Sequence, residues 1–211
     1  MKTIITLLLL AITTAAFSSK YEEAMKNNID RLYKLNSSSE LQSLANQFER
    51  IANAEPGKWL PDYYAAYCHI RTTFFNDLDP DAKQEQLDKA QQIVDKLMKT
   101  YDDESEIFTL QALLYQLRIT DIASGAKYSQ KAAAAIANAE KLNPNNPRIY
   151  YLRGSNTFHT PKFFGGGAEY AKPDLEKAAA MFENQKSADS LMPTWGPEHN
   201  KQLLEQCNAA E

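Results

Sequence analysis

The sequence predicts an all-α protein built from consecutive helical hairpins, and the main reason is an internal repeat of small, apolar and turn residues. Four segments, starting at Leu44, Ala90, Ala132 and Ala178, align without gaps on this pattern. Their starts recur at a period of about 45 residues, as expected for a helical repeat array. Within each segment the apolar positions fall on one helix face, and a turn residue then ends the helix.

The first 18 residues are typical of a cleavable secretory signal peptide. One Lys precedes an apolar run over 4–16, small residues follow, and cleavage is predicted after Ser18. This run is shorter than the roughly 20 apolar residues that span a bilayer. The first cysteine, Cys68, is far from the run, so a lipid anchor is not expected. We therefore predict a periplasmic or secreted protein without stable membrane insertion after cleavage; an uncleaved anchor or a buried first helix is the alternative.

The mature chain, 19–211, is predicted to form one helical repeat domain in which each hairpin pairs a helix A with a helix B. The predicted B helices lie near 40–54, 83–100, 126–142 and 173–185. The predicted A helices cover 58–75, 105–120 and 147–159. Each A helix has a small residue at its centre (Ala65 or Ala66, Ala112, and Gly154), which lets the paired helix cross closely.

Two flanking helices are predicted to complete the array. Residues 20–35 pair with the first B helix, whose N-cap is Ser38 or Ser39. Residues 194–208 form a closing helix that starts near Thr194 or Gly196, with Pro197 in its first turn. End helices of this kind cover the apolar face that the last repeat would otherwise expose.

Charge and cysteine spacing exclude several classes of partner. The chain has 23 basic and 27 acidic residues, so it lacks the excess of positive charge typical of nucleic-acid binding. No C-x-x-C pair is present, and none of the three histidines lies in an H-E-x-x-H motif, so no metal site is expected. Cys68 and Cys207 either form the one disulfide that two cysteines permit or are buried as small apolar side chains.

No catalytic residues and no cofactor are predicted. The chain lacks a G-x-S-x-G nucleophile motif, and its paired carboxylates lie in turn-like stretches that favour helix caps and solvated charges. Without a nucleophile, a general base or a metal, we expect a protein that is not an enzyme.

The chain resembles the tetratricopeptide-repeat family. Ala132, Ile136, Ala139 and Pro144 match its A-x3-F-x2-A-x4-P half-repeat, and IYYLRG at 149–154 matches the other half. More narrowly, the segments NPRIYYLRG, TPKFFGGG and PTWG resemble a group of exported tetratricopeptide-like proteins of Gram-negative bacteria that have no assigned activity. The resemblance implies a right-handed solenoid of helical hairpins, capped at its C-terminus by the closing helix.

The unit is longer than the 34 residues usual for that family, and we expect the extra residues in long A–B loops at 76–83, 121–127 and 160–172. The last of these contains TPKFFGGG. A phosphate loop would need a preceding strand and a following Lys, and both are missing. The stretch is instead predicted to be a structural joint: Pro161 ends helix A, Phe163 and Phe164 plug the hairpin apex, and Gly165, Gly166 and Gly167 take backbone conformations that other residues avoid. Pro173 either begins the last B helix or lies inside a helix that starts near Gly167.

The resemblance also implies a concave groove lined by the A helices. The register of the three central small residues points the following side chains into it: Tyr63, Tyr67 and Arg71; Glu106, Thr109, Leu113 and Gln116; Arg148, Tyr151, Ser155, Phe158 and His159. Tyr and Arg are enriched where proteins bind partners. The alternative is that most of these tyrosines belong to the core, as aromatic stripes at helical spacing usually do.

Two functions follow as expectations. The first is a non-enzymatic protein that binds a protein or peptide partner of unknown identity in the concave groove. The alternative is a periplasmic small-molecule binding component associated with a solute transporter, which the resemblance to tetratricopeptide-type transporter subunits implies.

Overall fold

A computed structural model describes residues 20–185 and 189–209, and all regular structure in these two ranges is helical. The predicted signal peptide, 1–18, lies outside the described residues. Helix α1 covers 20–32. The other helices are α2 Ser38–Ala54, α3 Leu60–Thr72, α4 Pro80–Thr100, α5 Ser105–Leu117, α6 Ile122–Leu142, α7 Pro147–His159, α8 Ala168–Asn184 and α9 Pro197–Ala209, with a 3-10 turn at Lys162–Phe164.

The predicted fold class is confirmed: the chain is all-α and consists of helical hairpins of the tetratricopeptide-repeat type. Helices α2, α4, α6 and α8 correspond to the predicted B helices, and α3, α5 and α7 to the predicted A helices. The closing helix α9 starts at Pro197, directly after the predicted Gly196, whose φ of 112° is a conformation that favours glycine.

The chain divides into two compact units. In the first, which comprises 20–86 and Asp189–Leu191 of the described residues, α2 packs on α3. Phe48 stacks on Tyr64 with ring centroids 5.3 Å apart, and the buried Tyr64 hydroxyl donates a hydrogen bond to the Leu191 carbonyl at 2.7 Å. This hydrogen bond offsets the cost of removing the Tyr64 hydroxyl from water.

The second unit, with described residues 87–185 and 192–209, packs α5 on α6, α7 on α8, and α8 on α9. The predicted close crossing is present at Gly154. A Cβ at this position would lie 2.7 Å from the Leu175 side chain of α8. The absence of a side chain at Gly154 is therefore what lets α7 and α8 approach each other.

The A–B connections are shorter than predicted, because the B helices begin earlier. Helix α6 starts at Ile122 rather than near 126, since Asp121 accepts a hydrogen bond from the Ser124 amide at 2.7 Å and Ser124 closes the reciprocal capping box. Its connection to α5 is residues 118–121 only. The predicted long loop at 121–127 was wrong: much of the extra length of the repeat lies in α4 and α6, which have 21 residues each.

The N-cap of α2 differs from the prediction, and the position of Pro173 decides between two predicted alternatives. The N-cap of α2 is Ser37, whose hydroxyl accepts from the Glu40 amide, rather than Ser38 or Ser39. Pro173 lies inside α8, which begins at Ala168, so the second of the two predicted alternatives holds. The lost donor at Pro173 removes one hydrogen bond from the early turns of this helix.

The two cysteines are not joined by a disulfide, and each is buried in its own unit. Burial raises the pKa of the Cys68 thiol. The structure thus agrees with the second alternative, in which both are small buried side chains. None of the described helices has the length and apolar character needed to cross a membrane.

Candidate functional site

Arg148 is the centre of a buried polar arrangement in the second unit. Its side chain is fully buried, and Nη1 donates to Oε1 of Glu106 on α5 at 3.0 Å. Nη2 donates to the carbonyl of Pro193, in the segment before α9. The guanidinium also lies over the Trp195 ring, 5.0 Å from its centroid. Arg148 on α7 therefore connects α5 with the segment that precedes α9, within the core of the second unit.

Glu106 is equally enclosed. Its Oε2 accepts a hydrogen bond from the Thr109 hydroxyl at 3.4 Å, one turn further along α5. Burial raises the pKa of Glu106, and the neighbouring Arg148 charge opposes that rise. The pair is enclosed and joins α5 to α7.

Tyr151 links this interior to the surface. The residue is buried, which raises the pKa of its hydroxyl. That hydroxyl lies 2.8 Å from Nδ1 of His199 on α9, and the two rings are perpendicular at 5.7 Å. The hydroxyl donates to Nδ1 when His199 carries its proton on Nε2. Tyr151 thus orients an exposed imidazole.

The face of α7 that contains Tyr151 continues to the surface toward the end of the helix. Phe158 is half-buried and His159 is exposed, with their rings edge to face at 5.1 Å. We call Phe158, His159 and His199 the α7–α9 face. Partial burial lowers the pKa of both histidines, and the charge of His159 lowers that of His199 further. At neutral pH this face therefore presents uncharged aromatic and imidazole rings.

Most of the residues predicted to line a groove are instead buried in the core. Their side chains leave almost no surface for a partner, which corrects the predicted contacts and agrees with the alternative that the tyrosines are core residues. The buried members are Tyr63, Tyr67, Glu106, Thr109, Leu113, Arg148, Tyr151 and Ser155.

The remaining predicted groove residues are partly or fully exposed. Arg71 is half-buried, donates to the Leu32 carbonyl and lies over the Tyr33 ring in the first unit. In the second unit, Gln116 donates to the Leu152 carbonyl at 2.7 Å. Phe158 is half-buried and His159 is exposed, and the rings of these two predicted groove residues contact each other. His199 was missed, because a single histidine 48 residues from Tyr151 carries no sequence signal.

The predicted plug at TPKFFGGG was also wrong, since Phe163 and Phe164 are both exposed. They lie in the 3-10 turn Lys162–Phe164, which turns their rings outward and packs them edge to face against each other at 5.2 Å. Pro161 precedes this turn and follows the end of α7, as predicted. A hydrogen bond joins the end of the loop to the last turn of α7, because the amide of Gly167 donates to the Thr157 carbonyl at 2.9 Å.

The three glycines are required here, but for two different reasons. Gly165 and Gly167 have φ values of 81° and 107°, backbone conformations that other residues avoid, as predicted for them; Gly166 has no positive φ, so this prediction was wrong for it. Gly166 is different: a Cβ would collide with the carbonyl of Thr160. The stretch is a structural joint with two exposed phenylalanines at its tip.

A cleft between α6 and α7 is too small for an organic ligand. It has a volume of about 90 Å³, against roughly 300–1,000 Å³ for small-molecule sites. Its polar wall is occupied as well, because Arg153 pairs with Asp174 at 2.8 Å and with Glu140 at 3.0 Å. Over 20–185 and 189–209, no three His, Cys, Asp or Glu side chains converge as a metal site would need.

The structure is similar to two solved proteins. The HusA haemophore from Porphyromonas gingivalis superposes with a TM-score of 0.80 at 30% sequence identity, over 90% of this chain and 94% of that one. A thermophilic tetratricopeptide-repeat protein from Thermus thermophilus superposes with a TM-score of 0.63 at 15% identity, over 90% and 82% of the two chains, which shows the fold alone. Protein-family models and curated proteins give no match. On the identity and the coverage of the first comparison, this chain belongs to the family of the HusA haemophore.

Proposed function

We propose that this chain is an exported, non-enzymatic haem-binding protein. The observation that carries the proposal is the family relationship to a haemophore, at 30% identity over nearly the whole of both chains. It gives the small-molecule alternative predicted from the sequence a chemical class. Export is supported by the signal-peptide pattern at 1–18.

The α7–α9 face is the place on the second unit that best suits this ligand. Haem is a flat, largely apolar macrocycle, so a protein surface that binds it needs aromatic or other apolar side chains that are weakly hydrated. Phe158 supplies an aromatic ring, and His159 and His199 supply imidazoles whose lowered pKa keeps them uncharged near neutral pH. Tyr151 and Arg148 act beneath this face by fixing α9 against α7.

The test is a hemin titration of the mature protein followed through its Soret absorption. We expect saturable binding by the wild type and binding weakened by about tenfold or more in the double variant Phe158→Ala, His159→Ala, because removing a buried aromatic contact costs about 1.5 kcal/mol or more. Phe74→Ala is the matched control, since Phe74 is an exposed phenylalanine of the first unit. It should bind as the wild type does.

Two results would count against parts of the proposal separately. A wild-type protein that shows no saturable hemin binding would reject haem as the ligand. Wild-type binding that the double variant retains in full would leave haem binding in place and reject the α7–α9 face as its site.

A second candidate is the protein or peptide binding predicted from the sequence, and the hairpin fold shared with a tetratricopeptide-repeat protein favours it. It ranks lower because Tyr63, Arg148 and Tyr151, which were expected to contact such a partner, are buried. Affinity capture with the mature protein, repeated in the presence of hemin, tests it: a partner retained equally with and without hemin would favour this second function.

A further inference from the structure

The second unit exposes large apolar side chains where its hairpins turn. The connections α5–α6 and α7–α8 lie at the same end of this unit, because consecutive helices of the two packed hairpins run in opposite directions. Large apolar side chains are exposed there: Phe163 at 91%, Ile122 at 86%, Phe164 at 68% and Tyr170 at 60%. We call these four residues the connection edge. Of these, Phe163 and Phe164 are in contact, with ring centroids 5.2 Å apart, and exposed apolar patches mark interaction sites.

The connection edge is flanked by positive charge, although the whole chain has a formal charge of −4. Four lysines lie near it, Lys127 and Lys131 on α6 and Lys162 and Lys172 around the α7–α8 connection. The ammonium groups of Lys127 and Lys131 lie over the Tyr128 and Tyr115 rings, at 5.1 and 5.4 Å from the ring centroids. Within 119–131 and 160–172 the acidic residues are Asp121 and Glu169, and the nearby Arg118 is paired with Asp88 at 2.7 Å. The edge is thus locally basic on an acidic protein.

The exposure of Phe163 and Phe164 indicates the kind of partner that the connection edge binds. Phe163 and Phe164 lie on a short turn that projects outward, so they suit insertion into a soft surface better than the filling of a cleft. Aromatic side chains flanked by lysines are the composition found where proteins lie on the headgroup region of a bilayer. Each lysine near an anionic membrane adds attraction that falls off within a Debye length.

A second copy of the chain suits the connection edge less well than a lipid surface does. A symmetric dimer through the connection edge would place the same patch on itself, and so would bring the lysines of both copies together. Like charges that are brought together at an interface oppose association.

We propose that the connection edge docks this protein on an anionic lipid surface, with Phe163 and Phe164 inserted among the headgroups and the exposed Lys127, Lys131 and Lys162 beside the lipid charges. The connection edge and the α7–α9 face share no residue, so variants can test them separately. Phe158 and His159 end α7 directly before the α7–α8 connection, so docking would hold the α7–α9 face close to the lipid surface.

The experiment measures co-sedimentation of the mature protein with vesicles. Vesicles that contain phosphatidylglycerol should bind the wild type, and vesicles of phosphatidylcholine alone should bind it weakly. The double variant Phe163→Ala, Phe164→Ala should lose binding by about tenfold or more, since each inserted ring contributes through its buried apolar area. Higher salt should weaken binding of the wild type. Phe74→Ala is the control for an exposed phenylalanine of the first unit and should keep wild-type binding.

Circular dichroism and the melting temperature establish that each variant is folded, and hemin titration separates the two sites. The double variant should keep wild-type hemin affinity. The proposal is overturned if the wild type ignores anionic vesicles, if the double variant binds them as well as the wild type, or if Phe74→Ala loses as much. It is also overturned if the double variant abolishes a dimer seen by ultracentrifugation, or hemin binding, while its vesicle binding is unchanged.

Discussion

Arg148 and Glu106 form a 3.0 Å ion pair in the interior of the second unit, between α7 and α5. Both side chains are buried, so neither charge has water to stabilise it, and each depends on the other and on its hydrogen bonds. The same guanidinium also holds the Pro193 carbonyl. The pair therefore connects two helices and the segment that leads into the third.

Arg148→Ala should lower the free energy of unfolding strongly, by about 3–5 kcal/mol, because it leaves the Glu106 carboxylate buried and unpaired. Urea unfolding at neutral pH, followed by circular dichroism, measures the change. Replacing both partners, as Arg148→Met with Glu106→Leu, should recover much of the loss.

The matched control is Arg153→Ala, which removes a half-exposed arginine paired with Asp174 and Glu140. Because solvent screens this network, its loss should cost no more than about 1 kcal/mol per ion pair. Equal losses for the two arginine variants would contradict the assignment of Arg148 as a buried anchor.

Gly154→Ala should destabilise the protein by about 1–3 kcal/mol, as overpacking of a tight core contact does. The added Cβ would lie 2.7 Å from Leu175, and α7 would have to move away from α8. Differential scanning calorimetry measures the fall in melting temperature. Gly57→Ala is the control, since a Cβ there meets nothing within 4 Å; a Gly154→Ala variant as stable as Gly57→Ala would show that this crossing tolerates a side chain.

Stability should fall as the pH drops from about 7.5 to about 5.5, in part through His159 and His199. The folded state lowers the pKa of both, mainly by partial burial. The unfolded chain therefore binds more protons than the folded one below the ordinary histidine pKa, and protonation favours unfolding. Their contribution is fully present above that pKa and is lost as the pH falls toward the folded-state values.

The measurement is the unfolding free energy against pH for the wild type and for the double variant His159→Gln, His199→Gln. The variant should show a flatter profile over this range. Identical profiles would mean that the two imidazoles titrate in the folded protein as they do in the unfolded chain.

Cys68 and Cys207 should be unreactive toward a thiol reagent in the native protein and should react as two thiols in urea. Both are buried, and burial raises the pKa of the Cys68 thiol, which removes the reactive thiolate. Titration with Ellman's reagent counts them. Fewer than two thiols in urea under non-reducing conditions would indicate a disulfide in place of the two buried side chains.

The A helices show where sequence patterns stop being informative. The central small residue of α7 was placed correctly, because Gly154 is a local feature of one helix. The exposure of the residues around it was not predicted, because an A helix packs against its own B helix and against the next A helix, as Gln116 of α5 does against Leu152 of α7. Tyr151 and Arg148 are consequently covered on the side that the repeat register had assigned to a ligand.

In the TPKFFGGG stretch, too, the local features were predicted and the tertiary ones were not. Its glycines predicted backbone conformations that only glycine takes readily, and Gly165 and Gly167 have them. The direction of the phenylalanines depends on the 3-10 turn and on the closure of the loop by Thr157, which are tertiary features.

The sequence alone determined the helices, their order and their pairing into hairpins, because apolar periodicity, capping residues and glycine positions act within one or two helical turns. The tertiary structure alone decided which side chains are exposed, which charges are paired in the interior, and that His199 lies beside Tyr151. The physical reason is that burial and pairing depend on neighbours distant in sequence, and those neighbours are fixed only when the helices pack.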